Sequence, residues 1–185
     1  MHQPTTPPTA DQVRNWGEFL PNKAVQTIGG KLYTLIIRDD QTTMTWEYLQ
    51  RSNNEAWIGF QQWLADIRVH GTPELVRSDD GGEFKRREFR DLCRKHRIKQ
   101  EFNSGGTPQL DRVAERGLTL IEKLAKAEAF QATVMFKDEK LPGMASLWAG
   151  AHNYVCDVLN RTAITVNPGL KSPVDMWHGN LPHRP

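Results

Sequence analysis

Two acidic residues in this 185-residue sequence, Asp79 and Glu115, have the types and the spacing that a metal site needs. Asp79 ends a predicted strand, and Gly81 and Gly82 behind it allow a sharp turn, so the carboxylate would project from the sheet edge. Glu115 follows after residues 80–114, in the first turns of a predicted helix. Mg²⁺ and Mn²⁺ prefer such oxygen ligands, and a pair of them promotes phosphodiester displacement. Because spacing alone is weak evidence, an acidic solvated turn remains the alternative.

The hydrophobic pattern predicts the elements that would position these acids. We expect strands at 31–38, 44–50, 74–80 and 98–102, and helices at 54–69, 84–96, 109–130 and 144–161, with a further strand around 13–20. The first two strands should form a hairpin through the turn DDQT, and the segment after residue 161 is rich in turn residues. This mixed order favours an α/β layer fold, in which active sites lie where strand ends meet helix starts.

Composition narrows the class of protein. Hydrophobic residues make up 38% of the chain and charged residues 25%, which is typical of a globular domain. No run of about 18 apolar residues is present, so we expect no membrane span, and the Pro- and Thr-rich start does not resemble a secretory signal. Cys93 and Cys156 form no metal-binding cluster, and we predict that they are reduced structural thiols of an intracellular protein.

Positive charge is concentrated in one stretch, although the net charge is only +2. Residues 77–99 hold nine Lys or Arg and five Asp or Glu, and the subsequence KRREFRDLCRKHRIK includes Lys85, Arg86 and Arg87. A solvated helix face and a contact with a polyanion are both consistent with this pattern.

Several motifs together resemble one known family. VRSDDGGEFKRREFRDLCRKHRIKQEF, followed by TPQ and VAER, resembles the catalytic core of retroviral-type integrases, and is most similar to the copia-like retrotransposon branch. IIRDDQTTMTW is similar to the hairpin of that branch, and LWAGAHNYVCDVLNRTAI with SPVDMWHGNLP is similar to its last helix and ending. The resemblance covers residues 29–183. It implies an RNase H-like fold, a central mixed five-stranded sheet flanked by helices, and a D,D-35-E triad that binds Mg²⁺ or Mn²⁺ and cuts and joins DNA by transesterification.

The resemblance assigns roles to the acidic residues. Asp79 matches the second aspartate of the triad, and Glu115 matches the glutamate. Asp80 stands where the family usually has Asn, and we interpret it as a solvated turn residue. Asp39 and Asp40 match the family's hairpin turn and are not among its metal ligands.

The first triad aspartate has no clear match. In the family this aspartate comes just before a Trp-Gly or Cys-Gly pair. When Trp16 and Gly17 are aligned with that pair, Arg14 occupies the position of the aspartate. Asp11 is three residues too early, a shift that would place it on the other face of a strand, and it is the alternative third ligand. An Arg at this position would remove one negative charge and add a positive one, so divalent-ion affinity should fall.

The helix that carries Glu115 departs from the family as well. Leu110, Asp111 and Arg112 replace a polar and glycine-containing segment of the active-site loop. Thr119 and Glu122 occupy two positions that often help to hold DNA in the family, and neither is basic. Candidate phosphate contacts on this helix are Arg116, Lys123 and Lys126, which could equally be solubilising charges.

The predicted organisation is a flexible leader at 1–10, an integrase-core-like domain at 11–165 and a turn-rich tail at 166–185. The printed sequence has no His/Cys zinc-binding region and no basic C-terminal extension, so we expect an isolated core, a fragment or a degenerate descendant. The expected partner is DNA, in the nucleus if host DNA is the target, and a homodimer is a further expectation. The alternatives are an active phosphoryl transferase and a catalytically inactive module for DNA binding or dimerisation.

Overall fold

The structure is a computed structural model that describes residues 26–79, 81–103, 108–135 and 146–179, with the backbone alone at 79, 103, 108–116, 133 and 134. The described part of the chain is mixed α/β, as predicted. Its strands are β1 (Tyr33–Arg38), β2 (Thr45–Gln50), β3 (Leu75–Asp79) and β4 (Lys99–Asn103). Its α-helices are α1 (Ala56–Asp66), α2 (Arg87–Lys95), α3 (Pro108–Met135), α4 (Trp148–Arg161) and α5 (Pro173–Gly179).

The predicted hairpin is formed by β1 and β2. The two strands pair antiparallel, from Tyr33 opposite Gln50 to Arg38 opposite Thr45. Asp39 builds the turn between them, because its Oδ2 accepts hydrogen bonds from both the backbone N–H and the hydroxyl of Thr42, each at 2.7 Å. The Asp39 carboxylate is therefore a structural group of the turn.

The second pair of strands, β3 and β4, is parallel, with Leu75 opposite Lys99 and Asp79 opposite Asn103. Helix α2 makes the crossover between them, as parallel strands require. Within the described ranges the two pairs form separate two-stranded sheets. Five strands were predicted, and the described part of the chain contains four of them. The strand expected around 13–20 lies outside the described residues.

A layer of aromatic side chains covers one face of the strands. Phe60 and Trp63 of α1 are buried, and Phe60 stacks on Phe89 of α2 with ring centroids 4.7 Å apart. Helix α1 can lie close to the hairpin because Gly59 has no side chain. A Cβ at this position would lie only 3.1 Å from Leu35 Cδ2. The aromatic residues that the helical spacing predicted to be core residues do form the core.

Helices α3 and α4 pack on the opposite face. Ile121 and Ala125 of α3 and Val155 and Cys156 of α4 form a second buried cluster, against which Ile36 of β1 packs. Because Leu35 and its neighbour Ile36 belong to different clusters, the side chains of β1 alternate between the two helical layers. The predicted three-layer arrangement, helices on both sides of the strands, is present in the described part.

The segment after residue 161 was predicted to be rich in turns, and it also contains a short helix, since Pro173–Gly179 forms α5. Ser172 caps this helix, because its Oγ accepts a hydrogen bond from the backbone N–H of Asp175 at 3.2 Å, and Pro173 provides a preset first helical residue. Trp177 of α5 packs edge-on against Trp46 of β2 at a centroid distance of 4.8 Å. In the part of the chain covered by the structure, no helix is apolar over enough length to cross a bilayer.

Asn160 should be a strong stability determinant, because it joins α4 to β2 through two buried hydrogen bonds. Its Oδ1 accepts from the backbone N–H of Thr45 at 2.9 Å, and its Nδ2 donates to the carbonyl of Thr45 at 2.7 Å. We predict that Asn160→Ala lowers the free energy of unfolding by about 2–3 kcal/mol, since both buried backbone groups lose their partner. Urea denaturation measures this loss. Asn153→Ala, on the exposed face of the same helix, is the control, and an equal effect of both changes would contradict the prediction.

Candidate active site

The backbones of the two predicted metal ligands lie at the end of a strand and in an early turn of a helix, as the sequence analysis expected. Asp79 is the last residue of β3, opposite Asn103 of β4. Glu115 lies in the second turn of α3, which begins at Pro108. The side chains of both residues lie outside the description, so the convergence of their carboxylates stays a prediction. Asp11, Arg14 and Asp80 also lie outside the described residues.

Two contacts connect the neighbourhoods of these positions. Arg38, the last residue of β1, lies against α3 two residues beyond Glu115, because a Cβ built on Gly117 would be 2.5 Å from Arg38 Nη1. The carboxylate of Asp40 lies 3.5 Å from Nη1 of Arg77, two residues before Asp79. The end of β1 therefore touches both the helix that carries Glu115 and the strand that carries Asp79.

A cavity of about 730 Å³ lies between the two strand pairs. We call it the central cavity; its lining includes residues 34–40 of β1 and the turn, 75–78 of β3, and Gly117, Leu118 and Ile121 of α3. β1 and β3 each pair with a neighbour on one side only in the described residues. The cavity thus lies along two unpaired strand edges, and the sequence neighbours of Asp79 and Glu115 line it.

Positive charge borders this cavity. Burial lowers the pKa of Arg38, against the attraction of Asp40, and its Nε is buried with no hydrogen-bond partner in the described structure. Arg77 is better neutralised, since its Nε lies 3.1 Å from Glu101 Oε2 in addition to the Asp40 contact. Hydrogen bonds from Lys99 and Arg77 hold the pKa of Glu101 below its usual value. A divalent ion bound beside Asp79 would experience these two guanidinium groups as well as any carboxylates.

A buried polar cluster lies one layer away, and sequence reasoning missed it. His152 of α4 is fully buried, and its Nδ1 lies 3.2 Å from Oε1 of Glu47, which also accepts a 2.8 Å hydrogen bond from the hydroxyl of Thr34. Glu122 of α3, at a position that often helps to hold DNA in the family, is only 4% exposed, so its side chain faces the protein interior. The one sequence feature that could have indicated this cluster is Glu47, an acidic residue within the strand TWEYLQ.

The predicted basic residues divide between the surface and partly buried positions. Lys85 lies 5.8 Å from the ring centroid of Phe102, and Arg86 is the residue before α2. Arg87 is strongly exposed and pairs with Asp91 at 3.3 Å. Lys123 is exposed, whereas Lys126 is partly buried and lies 3.9 Å from Glu122 Oε2. The Arg116 side chain lies outside the description, and the role of all six residues in nucleic-acid binding stays a prediction.

The cysteines are as predicted, since Cys93 and Cys156 are buried free thiols. Burial raises the pKa of Cys93 to about 11 and that of Cys156 to about 12, so neither is a reactive thiolate at neutral pH. Among the side chains that the structure describes, no group of three His, Cys, Asp or Glu has the arrangement of a metal site. The three positions of the predicted triad are not among those side chains.

Comparisons with known proteins decide the family. No protein-family model matches the chain. The chain is 31% identical over 156 residues, 83% of its length, to the retrovirus-related Pol polyprotein from transposon TNT 1-94 of Nicotiana tabacum. This chain belongs to the integrase catalytic cores of the DDE superfamily. It spans 11% of the length of that tobacco polyprotein, which is of the copia type.

Solved structures agree with this fold. The HTLV-2 integrase catalytic core domain in complex with magnesium matches with a TM-score of 0.55 and 17% identity, over 83% of this chain and 90% of that one. The catalytic core domain of BIV integrase matches with a TM-score of 0.57 and 15% identity, over 79% and 85%. A chain of the simian T-cell lymphotropic virus intasome in complex with PP2A regulatory subunit B56γ matches with a TM-score of 0.58 and 15% identity, over 87% and 52%. At these identities the likeness concerns the fold, which is RNase H-like.

The close approach of Arg38 to α3 can be tested with a pair of glycines in helices. Gly150→Ala on α4 should raise the free energy of unfolding by about 0.5–1 kcal/mol, because a Cβ there meets no atom within 4 Å and Ala favours the helix. Gly117→Ala should gain less or destabilise, because the new methyl group displaces the Arg38 guanidinium from its buried position. Chemical denaturation of both variants measures the difference. An equal gain in both would mean that Arg38 does not lie on α3 in solution.

Glu122 should make stability depend on pH. Burial raises its pKa above 4.5, against the opposing attraction of Lys126 and His152. The stability that this shift contributes is present below about pH 4.5 and is lost as the pH rises through the raised pKa. Glu122→Gln should therefore match the wild type below about pH 4.5 and be more stable than it at pH 7. Urea denaturation across this range measures the gap, with Glu128→Gln on the exposed face of α3 as the control. A constant gap at every pH would contradict this.

Proposed function

We propose that this chain is an integrase-core domain of a retrotransposon polyprotein that acts on DNA during integration. The observation that carries the proposal is the pairing of a 31% identical Pol polyprotein relative with a cavity lined by residues 75–78 of β3 and by Gly117, Leu118 and Ile121 of α3. We place the domain at residues 11–165, with 1–10 as a leader and 166–185 as a tail, of which α5 packs back on β2. Action on host DNA would place the protein in the nucleus.

The fifth strand of the proposed sheet comes from residues 13–20. The unpaired edges of β1 and β3 face the central cavity, and each offers backbone hydrogen-bonding groups that a strand could satisfy. An RNase H-like sheet with a strand at this place would bring the first-strand residue next to Asp79. The identity of that residue, Arg14 or an acid, then decides what the site can bind.

Asp79 and Glu115 are the proposed metal ligands. Two carboxylates fit Mg²⁺ or Mn²⁺, which accept oxygen ligands and retain several waters, although two are fewer than a triad supplies. When bound, such an ion polarises the phosphodiester and activates the attacking oxygen. The residues of this chain would position the ion at the mouth of the cavity. The HTLV-2 core, whose structure is in complex with magnesium, is the comparison that motivates this choice of ion.

DNA would contact the basic residues near this site. Lys85, Arg86 and Arg87 lie just after the turn that follows Asp79, and Arg116, Lys123 and Lys126 lie on the helix of Glu115. Phosphate contacts of this kind release counterions, so binding should weaken steeply with salt. The exposed charge of Arg87 is shared with Asp91, which lowers its expected contribution.

A second candidate is an inactive integrase-derived module that binds DNA or dimerises. The observation that favours it is the charge around the cavity, where Arg38 and Arg77 already border the site and the resemblance adds Arg14. Because Asp40 and Glu101 pair with Arg77, Arg38 and Arg14 would be the main charges that repel a divalent ion while still attracting phosphate. The two candidates share the fold and differ in metal binding, and the DNA partner is shared where the inactive module binds DNA.

The decisive experiment restores the missing acid. We expect the wild type to show weak or no Mn²⁺-dependent cleavage of a labelled oligonucleotide duplex, and Arg14→Asp to gain cleavage and to bind Mn²⁺ about tenfold or more tightly by calorimetry, since a coordination defect costs at least that much. Adding Asp79→Asn or Glu115→Gln to Arg14→Asp should abolish both gains. Glu128→Gln in the same background is the control and should leave them intact.

The outcomes separate the candidates. Cleavage by the wild type that depends on Asp79 and Glu115 supports an active core with another third ligand, for which Asp11→Asn is the next variant. Salt-sensitive DNA binding without metal binding by the wild type supports the inactive module. Cleavage that survives Asp79→Asn, or the absence of any DNA binding at low salt, would overturn the proposed function.

A further inference from the structure

Two histidines from distant parts of the chain face each other at the surface. His70 lies in the loop between α1 and β3, and His178 lies in the last turn of α5. Their ring centroids are 5.6 Å apart, with an angle of 48° between the ring planes. Neither is one of the predicted metal ligands Asp79 and Glu115, and neither was singled out by the sequence analysis, although His70 is among the residues that line the central cavity. The pair raises the question of what two converging imidazoles could bind.

The separation of the rings fits one shared transition-metal ion. Imidazole nitrogens bind Zn²⁺ at about 2.0–2.1 Å, and two imidazoles on a tetrahedral ion therefore place their ring centroids about 5.3 Å apart. The observed 5.6 Å lies within a small side-chain rotation of that value. A direct stack of the two rings would instead need them nearly parallel, which 48° excludes. The ring separation is that of a tilted aromatic contact, and it is also the separation that a shared ion would need.

The nitrogens of both rings are available. Neither imidazole makes a hydrogen bond to any residue that the structure describes, and His178 is exposed while His70 is half-buried. No reactive thiol competes, because Cys93 and Cys156 are buried.

The scaffold holds both ligands in place. Trp177, next to His178 in the chain, lies between Trp46 and His70, with ring centroids 4.8 Å and 4.5 Å away. The indole therefore fixes α5 on the body of the protein and orients the His70 ring. Ligand positions that are set by packing reduce the entropy that an ion must overcome on binding.

We propose that His70 and His178 form a two-histidine site for a borderline divalent transition ion, Zn²⁺, Ni²⁺ or Cu²⁺, with water in its remaining positions. Imidazole prefers these ions, whereas Mg²⁺ and Mn²⁺ prefer oxygen. The site lies at the Leu75 end of β3, and five residues of strand, about 13 Å, separate that end from Asp79. Binding here would clip the C-terminal helix α5 to the loop before β3.

The test is titration of the whole chain with CuCl₂, NiCl₂ and ZnCl₂ in excess MgCl₂. We expect one ion per chain, quenching of tryptophan fluorescence by Cu²⁺ through the adjacent Trp177, and a rise in melting temperature. Loss of an outer-shell partner costs about 10–100-fold in metal affinity, so His70→Gln and His178→Gln should each cost at least as much. Pulsed electron paramagnetic resonance of the Cu²⁺ form should detect two imidazole nitrogens in the wild type and one in either variant.

The controls make the outcome independent of the proposed function. His96→Gln, at the end of α2, and His183→Gln should leave affinity unchanged. Asp79→Asn should also leave it unchanged, so failure of the magnesium site would not affect this result. Wild-type affinity in His178→Gln, which is exposed and should fold normally, or persistence of both nitrogen signals in that variant, would overturn the proposal.

Discussion

The stacking of Phe60 on Phe89 is the contact on which the rest of the described structure depends. Helix α1 covers the β1–β2 hairpin, helix α2 covers β3 and β4, and these two rings join the helices at a centroid distance of 4.7 Å. No ladder of backbone hydrogen bonds connects the two strand pairs in the described residues. Among the described residues, aromatic packing therefore joins the two strand pairs. Such a pair contributes about 0.5–1.5 kcal/mol beyond the burial of its area.

Electrostatics around the central cavity follows from the same packing. With β1 held opposite β3, the Asp39-built turn brings Asp40 to Arg77, and the last residue of β1, Arg38, meets α3 where Gly117 leaves room. Each contact fixes an arginine near a predicted metal ligand. Arg77 has two acidic partners, whereas the Nε of Arg38 is buried with no hydrogen-bond partner in the described structure. A divalent ion bound near the end of β1 would be repelled by Arg38, whose charge Asp40 offsets in part. The same cation would assist the binding of a phosphate, so metal affinity and phosphate affinity need not change together.

Structural features could be predicted from the sequence when they depend on residues that are close together in the chain. The turn DDQT between alternating strands and the helical spacing of Trp57, Phe60 and Trp63 are local patterns, and both led to the correct element. Helix α5 was missed because it is short and its Ser172–Pro173 start lies in a segment rich in turn residues. The helix is stabilised by the contact of Trp177 with Trp46, which lies 131 residues earlier in the chain. The Glu47–His152 pair could not be predicted, because its partners lie 105 residues apart and neither carries a periodic signal. The candidate site could be predicted only in part. Motifs in the sequence identified Asp79 and Glu115, but whether the two residues come together depends on the fold.

The separation of core and site would allow an integrase core to stay recognisable if its triad changed. The buried clusters draw their residues from the middles of β1, α1, α2, α3 and α4. Asp79 and Glu115 instead occupy a strand end and an early helical turn. Loss of an acid at such a place removes charge repulsion among carboxylates and leaves the aromatic stack untouched, so it should cost the fold little. Selection for the fold alone would then preserve Phe60, Trp63 and Phe89 while Arg14 replaced an aspartate. A chain under selection for catalysis could not make that exchange, which is why the residue at position 14, and not the stability of the domain, distinguishes the two proposed functions.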